Sequence, residues 1–174
     1  PGELTKNASR VVLKCLWCAR LTRPDIYWTV NQLARNVSKW TKACDKRLFR
    51  LISYIHHTKD TVLRCYVGDP PELCQLVQYT DASFASDIID SKSTTGGILF
   101  LMGPNTCVPL GHMVKKHGAN SHSSTEAEIK AYNTCAAIIS YFSKILKEVY
   151  LIDNDDPVIV EGDNMAAIQC VMGT

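Results

Sequence analysis

Three acidic positions lie where predicted strands end or a predicted helix begins. Asp81 ends one predicted strand, Asp163 ends another, and the start of a long predicted helix carries Glu126 and Glu128. Ligands of open α/β sheets collect at the carboxyl ends of strands, so these acids are expected to meet there. Crowded carboxylates repel one another unless a hard divalent cation with oxygen ligands neutralises them. Taken singly, Asp81 also fits a turn residue and Asp163 a helix N-cap, but together the acids predict a divalent-cation site.

Helical periodicity favours Glu128 over Glu126 as the inward acid. Glu128 lies four residues before Tyr132 and continues the apolar stripe of the helix, whereas Glu126 lies about 200° around the helix at about 100° per residue. Glu126 also has a structural explanation, because Ser123 and Glu126 fit a capping box. Thr125 and Glu128 fit the same pattern, so the choice between the two glutamates stays open at this point.

The elements that must position these acids follow the turn signal of residues 68–71 (GDPP). Three predicted strands with short connections indicate an antiparallel meander, which the long helix must cover. A buried strand after that helix and a last helix capped by Asn164 complete the pattern. Pro109 either interrupts the third strand or marks a bulge. The predicted strands cover residues 76–81, 93–102, 106–114 and 157–163, and the long helix covers residues 123–149.

The long helix has an apolar stripe that should face the sheet. A turn is predicted at residues 153–156 (DNDD), between this helix and the buried strand. The members of the stripe are Tyr132, Cys135, Ile139, Phe142, Leu146 and Val149.

The first part of the chain reads as a small helical segment. Helical patterns cover residues 8–20, restart at Pro24 and Asp25, and start again at Thr41. The third helix carries a basic surface, which is explained equally well by solvation and by contacts to phosphates. Its basic residues are Lys42, Lys46, Arg47 and Arg50. We therefore predict a helical segment over residues 1–70 and an α/β domain over residues 71–174.

Composition and charge agree with this division. With 174 residues, 46% hydrophobic and 21% charged, the chain is expected to fold into one or two packed units, which excludes collagen, coiled-coil rods and disordered tails. Residues 1–70 contain 13 Lys and Arg against 5 acids, a net charge of +8, and residues 71–174 contain 6 against 12, a net charge of −6. A basic part joined to an acidic part suggests that the first binds a polyanion and the second a divalent cation. No membrane span or secretory signal is expected, and the 8 cysteines are expected to be reduced core thiols.

Several motifs, in order along nearly the whole chain, resemble a known family. The ribonuclease H domain of copia-type retrotransposon Pol polyproteins is similar to residues 79–85 (YTDASFA), 92–97 (KSTTGG), 123–128 (SSTEAE) and 163–168 (DNMAAI). The segment that joins reverse transcriptase to ribonuclease H in that family resembles residues 21–26 (LTRPDI), 30–35 (VNQLAR) and 57–60 (HTKD).

The resemblance implies a ribonuclease H-like α/β fold, with a mixed sheet, a long covering helix and a helical segment before it. It implies hydrolysis of the RNA strand of RNA–DNA hybrids with two Mg²⁺ ions, or Mn²⁺ in their place. Asp81, Glu128 and Asp163 match the catalytic, metal-binding acids of the family. The family continues with a further strand, a helix and a fourth acid, so the domain is expected to be incomplete at its C-terminus.

The implied partners are an RNA–DNA hybrid and the reverse transcriptase portion of the same polyprotein, inside the cell in a cytoplasmic particle or the nucleus. Lys92, in the second motif, joins the four basic residues of the third helix as a candidate contact to nucleic acid. The alternative is a catalytically silent module of a degenerate or domesticated element, which binds nucleic acid or connects to the polymerase. A third interpretation is a purely structural connector whose acids are helix and turn caps.

Overall fold

The computed structural model describes residues 1–87, 89–150 and 158–173, apart from the side chains of Lys147 and Tyr150. The chain forms two compact units, Pro1–Leu63 and Arg64–Thr174.

The first unit is helical, as its periodicity predicts. It contains α1 (Ala8–Leu21), α2 (Tyr27–Ala34) and α3 (Lys42–His57). The helix α3 begins after Thr41, whose side chain caps the helix by accepting a hydrogen bond from the backbone N–H of Cys44 at 3.4 Å. The core of this unit is built from one buried face of each helix and includes Val12, Ala19, Val30, Leu33, Leu48 and Leu51.

The second unit is built on a four-stranded mixed sheet. Its strands are β1 (Gln75–Ser83), β2 (Thr94–Gly103), β3 (Thr106–Lys116) and β4 (Ile159–Glu161), in the order β3-β2-β1-β4. The pairs β1–β2 and β2–β3 are antiparallel, and β4 joins β1 in parallel. The predicted meander with an added parallel strand is confirmed.

Pro109 lies at a bulge in β3. Leu99 of β2 pairs with Gly111, whereas its neighbour Phe100 pairs with Pro109, so Leu110 is an extra residue in β3. Proline has no N–H to donate to the ladder, and an irregular register tolerates its position.

The helix α4 (Ser124–Tyr150) packs on the sheet through the predicted stripe. Ile139 joins Leu76 and Leu99 in a buried cluster, and Phe142 and Leu146 pack against that cluster. The prediction for Val149 is wrong: this residue is 64% exposed, because the described contacts of the stripe with the core end at Leu146, one turn earlier. Close approach of α4 depends on Gly97 of β2, where a Cβ would lie 2.5 Å from the sulfur of Cys135.

The strand β4 differs from its prediction. A buried strand over residues 157–163 is predicted, but the three residues of β4 are all exposed. Among the described residues, the strand lies at the edge of the sheet and pairs with β1 alone. The predicted turn at residues 153–156 lies outside the described residues.

The last helix, α5 (Met165–Met172), follows β4 as predicted. Asn164 caps it, with Oδ1 accepting a hydrogen bond from the backbone N–H of Ala167 at 2.9 Å.

The predicted fold class is confirmed, since a mixed antiparallel and parallel sheet under a long helix is compatible with a ribonuclease H-like fold. No helix within the described part of the chain is both long and apolar enough to cross a membrane.

Candidate metal centre

Sheet register brings two of the predicted acids to the same place. In the parallel pair β1–β4, Tyr79 lies opposite Glu161. Asp81 and Asp163 each follow two residues later, so both lie at the carboxyl ends of neighbouring parallel strands. Together with Glu128 they form a triad in which one carboxylate oxygen from each residue lies within 4.8 Å of the other two.

Glu128 supplies the buried member of this triad. It lies in the first turns of α4 and is only 4% exposed, whereas Asp81 and Asp163 are exposed. Its Oε1 accepts a hydrogen bond at 3.1 Å from the backbone N–H of Ala82, the residue after Asp81. Its Oε2 is buried and has no hydrogen-bond partner among the described residues. One oxygen therefore anchors the side chain to β1, and the other is free to accept a ligand.

The electrostatics of Glu128 favour a bound cation. Burial raises the pKa of this carboxyl group, the hydrogen bond from Ala82 opposes the rise, and the negative charges of Asp81 and Asp163 add to it. A carboxylate in such surroundings is costly to ionise unless positive charge is supplied nearby. A divalent cation among the three acids would supply that charge.

Glu126 has a different role at the start of α4. Its backbone N–H donates to Oγ of Ser123 at 3.1 Å, and its Oε2 accepts from the backbone N–H of His122 at 2.7 Å. Its Oε1 pairs with Nζ of Lys130 at 2.7 Å, and this contact lowers the pKa of Glu126. In an ideal capping box the side chain of Glu126 would accept from the backbone N–H of Ser123, but here it accepts from that of His122, one residue earlier. Glu126 thus caps the start of the helix, while the carboxylate of Glu128 lies beside those of Asp81 and Asp163.

The chemistry of the donor set fits a hard divalent cation such as Mg²⁺ or Mn²⁺. All three side chains offer carboxylate oxygens, and the buried Oε2 of Glu128 lacks another partner among the residues described. Asp81 and Asp163 are open to solvent, so a ligand with a phosphate group can reach the triad.

The predicted nucleic-acid contacts are distributed over both units. Lys42, Lys46, Arg47 and Arg50 are all exposed on α3 in the first unit. Lys92 belongs to the second unit, is half-buried before β2, and has its Nζ 3.8 Å from a carboxylate oxygen of Asp90.

Tyr132 and Gly162 are two residues near the triad whose role the sequence analysis missed. Tyr132, placed in the apolar stripe, has a buried hydroxyl group with no hydrogen-bond partner among the described residues. A Cβ at position 162 would overlap this hydroxyl group, so glycine leaves the room that it occupies. The signal in the sequence is the four-residue spacing between Glu128 and Tyr132, which puts both on one helix face.

Comparison with known proteins finds relatives among retroelements. The chain is 28% identical over 158 residues, 91% of its length, to the retrovirus-related Pol polyprotein from transposon RE2 of Arabidopsis thaliana. It is 29% identical over the same share to the corresponding polyprotein from transposon RE1 of that plant. An uncharacterized mitochondrial protein of Arabidopsis thaliana is 29% identical over 77% of the chain and 53% of its own length.

The chain spans about 10% of the length of the two Pol polyproteins. No protein-family model and no solved structure matches it. The similarity over 91% of the chain confirms the resemblance to retrotransposon Pol polyproteins that the motifs indicate. The chain is thus similar over most of its length to retrovirus-related Pol polyproteins from plant transposons.

Proposed function

We propose that the second unit is a metal-dependent endonuclease that hydrolyses the RNA strand of RNA–DNA hybrids as part of a retrotransposon polyprotein. The observation that carries this proposal is the triad of Asp81, Glu128 and Asp163, in which one carboxylate oxygen of each residue lies within 4.8 Å of the other two, at one end of the sheet. Three acids from separate elements have no common structural role that would require this proximity. A shared cation explains it.

The three acids divide the work of holding Mg²⁺ or Mn²⁺. Glu128 is fixed by burial and by its hydrogen bond to Ala82, so it gives the site a rigid side. Asp81 and Asp163 hold the side that is open to solvent, where a scissile phosphate can approach. Two divalent ions, when bound, would activate a water molecule and stabilise the leaving 3′ oxygen of the RNA.

Binding of the hybrid is assigned to basic residues. The exposed lysines and arginines of α3, together with Lys92, provide charge for phosphates without preference for base sequence. Recognition of RNA over DNA requires contacts to 2′-hydroxyl groups. In this proposal residues 1–70 connect the nuclease to the reverse transcriptase portion of the polyprotein.

Cleavage of a hybrid with a labelled RNA strand tests the proposal. The wild-type chain, together with the downstream strand, helix and acid that the resemblance implies, is expected to cut the RNA strand when Mg²⁺ or Mn²⁺ is added. Asp81→Asn should lower the rate more than about a hundredfold, since it removes a metal ligand. Asp60→Asn is the matched control, because Asp60 is an exposed acid of the first unit, and it should leave the rate unchanged. Cleavage that survives Asp81→Asn would refute the assignment.

The second candidate is a silent nucleic-acid-binding module, which the exposed basic surface of α3 favours. Salt-sensitive binding of the hybrid with no cleavage by the wild-type chain would select this function over the nuclease.

A further inference from the structure

The helix α3 carries an open aromatic ring within its basic surface. Phe49 is 73% exposed, more than any other aromatic side chain that the structure describes. Its neighbour Leu48 and the nearby Leu51 are buried, so Phe49 lies on the side of the helix that faces away from the core. A single exposed apolar residue needs no explanation by itself. The residues that surround Phe49 decide whether its ring has a use.

Three cations share the helix face of Phe49. Lys42, Lys46 and Arg50 follow one another at four-residue spacing, and Phe49 lies three residues after Lys46. Residues three and four apart on a helix are neighbours, so the four side chains lie together on one face. All four are exposed, and none of the three cations forms an ion pair within the described part of the chain. These charges are therefore available to a ligand.

The single acid of α3 does not cancel this charge. Asp45 accepts hydrogen bonds from the backbone N–H of Glu3 at 2.7 Å and from Nε1 of Trp40 at 2.6 Å. Its carboxylate thus holds the start of the chain and the segment before α3. With Lys42, Lys46, Arg47 and Arg50 against Asp45, the helix keeps a net charge of +3, which suits an anionic ligand.

An open ring among free cations fits one class of ligand best. A protein surface that covered Phe49 would also have to pair or desolvate the cations beside it, at a cost in free energy. A nucleic-acid strand offers a phosphate to each cation and a base to the ring, and proteins bind single strands by this combination. Bases inside a duplex are stacked on one another and present only their edges in the grooves. The ring of Phe49 therefore requires a base that is not paired.

We propose that the face of α3 formed by Lys42, Lys46, Phe49 and Arg50 binds unpaired nucleotides beside an RNA–DNA hybrid, with the ring of Phe49 stacked on one base. The cations contact phosphates of the unpaired strand and of the adjoining duplex. The proposal rests on the nucleic-acid binding proposed above for α3 and names its substrate class, a hybrid with a single-stranded extension. Every base has a π face, so an extension of the RNA strand or of the DNA strand supplies the same chemistry.

Fluorescence anisotropy with matched hybrids tests the stacking. The chain carries Asp81→Asn, which prevents cleavage, and the hybrid is extended by a short run of unpaired adenine nucleotides. A second probe has the same extension with abasic residues, which keep the phosphates and lack the bases. One pair of probes extends the RNA strand and another extends the DNA strand. In one pair or in both, the extension with bases is expected to bind at least about fivefold more tightly than the abasic extension.

Variants of the ring assign this preference to Phe49. Phe49→Ala should remove the preference and leave the affinity for the abasic probes unchanged, whereas Phe49→Trp should keep the preference because it keeps an aromatic face. Trp28→Ala is the matched control. Trp28 is 51% exposed in the same unit, but it belongs to α2, which contains no Lys or Arg. Its removal should leave the preference intact.

The outcomes separate this proposal from the nuclease. Equal affinity for extensions with and without bases in both pairs, or a preference that survives Phe49→Ala, would overturn the stacking and leave the nuclease in place. A preference that Trp28→Ala abolishes would also overturn it. Failure to bind any of the hybrids at low salt would overturn the stacking together with the phosphate contacts of α3. Absence of RNA cleavage would overturn the nuclease alone, because stacking on Phe49 requires no metal.

Discussion

The surroundings of Glu128 favour its neutral form, whereas binding a metal ion requires its ionised form. Burial favours its neutral form, and the nearby Asp81 and Asp163 favour it too, yet a metal ligand must be ionised. The hydrogen bond from Ala82 offsets only part of this penalty. A site of this kind is destabilised when empty and stabilised when a cation binds, which links folding stability to metal.

This link predicts how Glu128→Gln changes stability. Because the folded-state pKa of Glu128 is raised, the folded chain holds a proton that the unfolded chain has released, so stability falls as pH rises from the unfolded pKa through the folded one. Glu128→Gln removes this loss, so without metal its free energy of unfolding at pH 7 should exceed that of the wild type. Urea unfolding over a series of pH values measures the effect.

Glu126→Gln is the control with the opposite sign. Lys130 lowers the pKa of Glu126, so its charge stabilises the folded chain above the ordinary glutamate pKa, and the stabilisation is lost as pH falls. The variant should therefore lose stability at pH 7. A Glu128→Gln variant that is also less stable at pH 7 would show that the ionised carboxylate of Glu128 does not destabilise the metal-free chain.

For single residues, the sequence predicts which way a side chain faces when that direction follows from local periodicity. The helical count that places Glu128 inward needs only the spacing to Tyr132. The same count assigns Tyr132 to the apolar stripe, because periodicity cannot show that its hydroxyl group is buried near a carboxylate. Gly162 carries no signal of its own, since the close approach that requires it joins residues about 30 positions apart.

Element ends decide where the triad forms. The aspartates meet because β4 pairs with β1 in a register that sets Asp81 and Asp163 level, although β4 has only three residues. An edge strand this short and exposed does little by itself to fix the position of Asp163. The start of α5, capped by Asn164 directly after Asp163, adds a second restraint on the position of that carboxylate.

Asn164→Ala should therefore weaken metal binding as well as the helix. Loss of the cap removes the acceptor for the N–H of Ala167 and should lower the free energy of unfolding by about 1 kcal/mol. Because Asp163 is then held less firmly, the Kd for Mn²⁺ should rise, by roughly tenfold at most.

Thr41→Ala is the matched cap removal in the first unit. It should destabilise the chain without changing the Kd for Mn²⁺. If both variants leave that Kd unchanged, the cap of α5 does not position Asp163.

The helices and strands are largely predictable from the sequence, but the burial of their residues is not. Alternation and turn signals predict the meander, and the proline predicts either an interruption of the third strand or a bulge, because both are local properties. The exposure of β4 and of Val149 depends on which strand lies at the edge and on where the core ends, which only the assembled sheet decides. Local spacing in the sequence predicts neither the strand at the edge nor the end of the core.

At the scale of the whole molecule, charge is divided along the chain. Residues 1–70 carry a net charge of +8 and residues 71–174 a net charge of −6. The acidic part includes the triad, which could hold a cation, and the basic part includes the exposed face of α3, which suits a polyanion. A nuclease built this way would obtain most of its affinity for the duplex from residues far along the chain from its metal ligands.

Removing two charges from α3 tests that assignment. The variant Lys46→Gln with Arg47→Gln should bind a hybrid more weakly, and the plot of log affinity against log salt should become shallower by about 2, since each phosphate contact contributes about 0.9 to the slope. Binding is measured by fluorescence anisotropy in the Asp81→Asn background, which prevents cleavage.

The control changes the same number of charges elsewhere on the first unit, with Lys6→Gln and Lys14→Gln on exposed lysines near and within α1. If α3 makes the phosphate contacts, only the α3 variant loses slope. Equal losses in both variants would show that the net charge of the unit, not this helix face, attracts the duplex. An unchanged slope in both would place the duplex on the second unit, where Lys92 is the candidate contact.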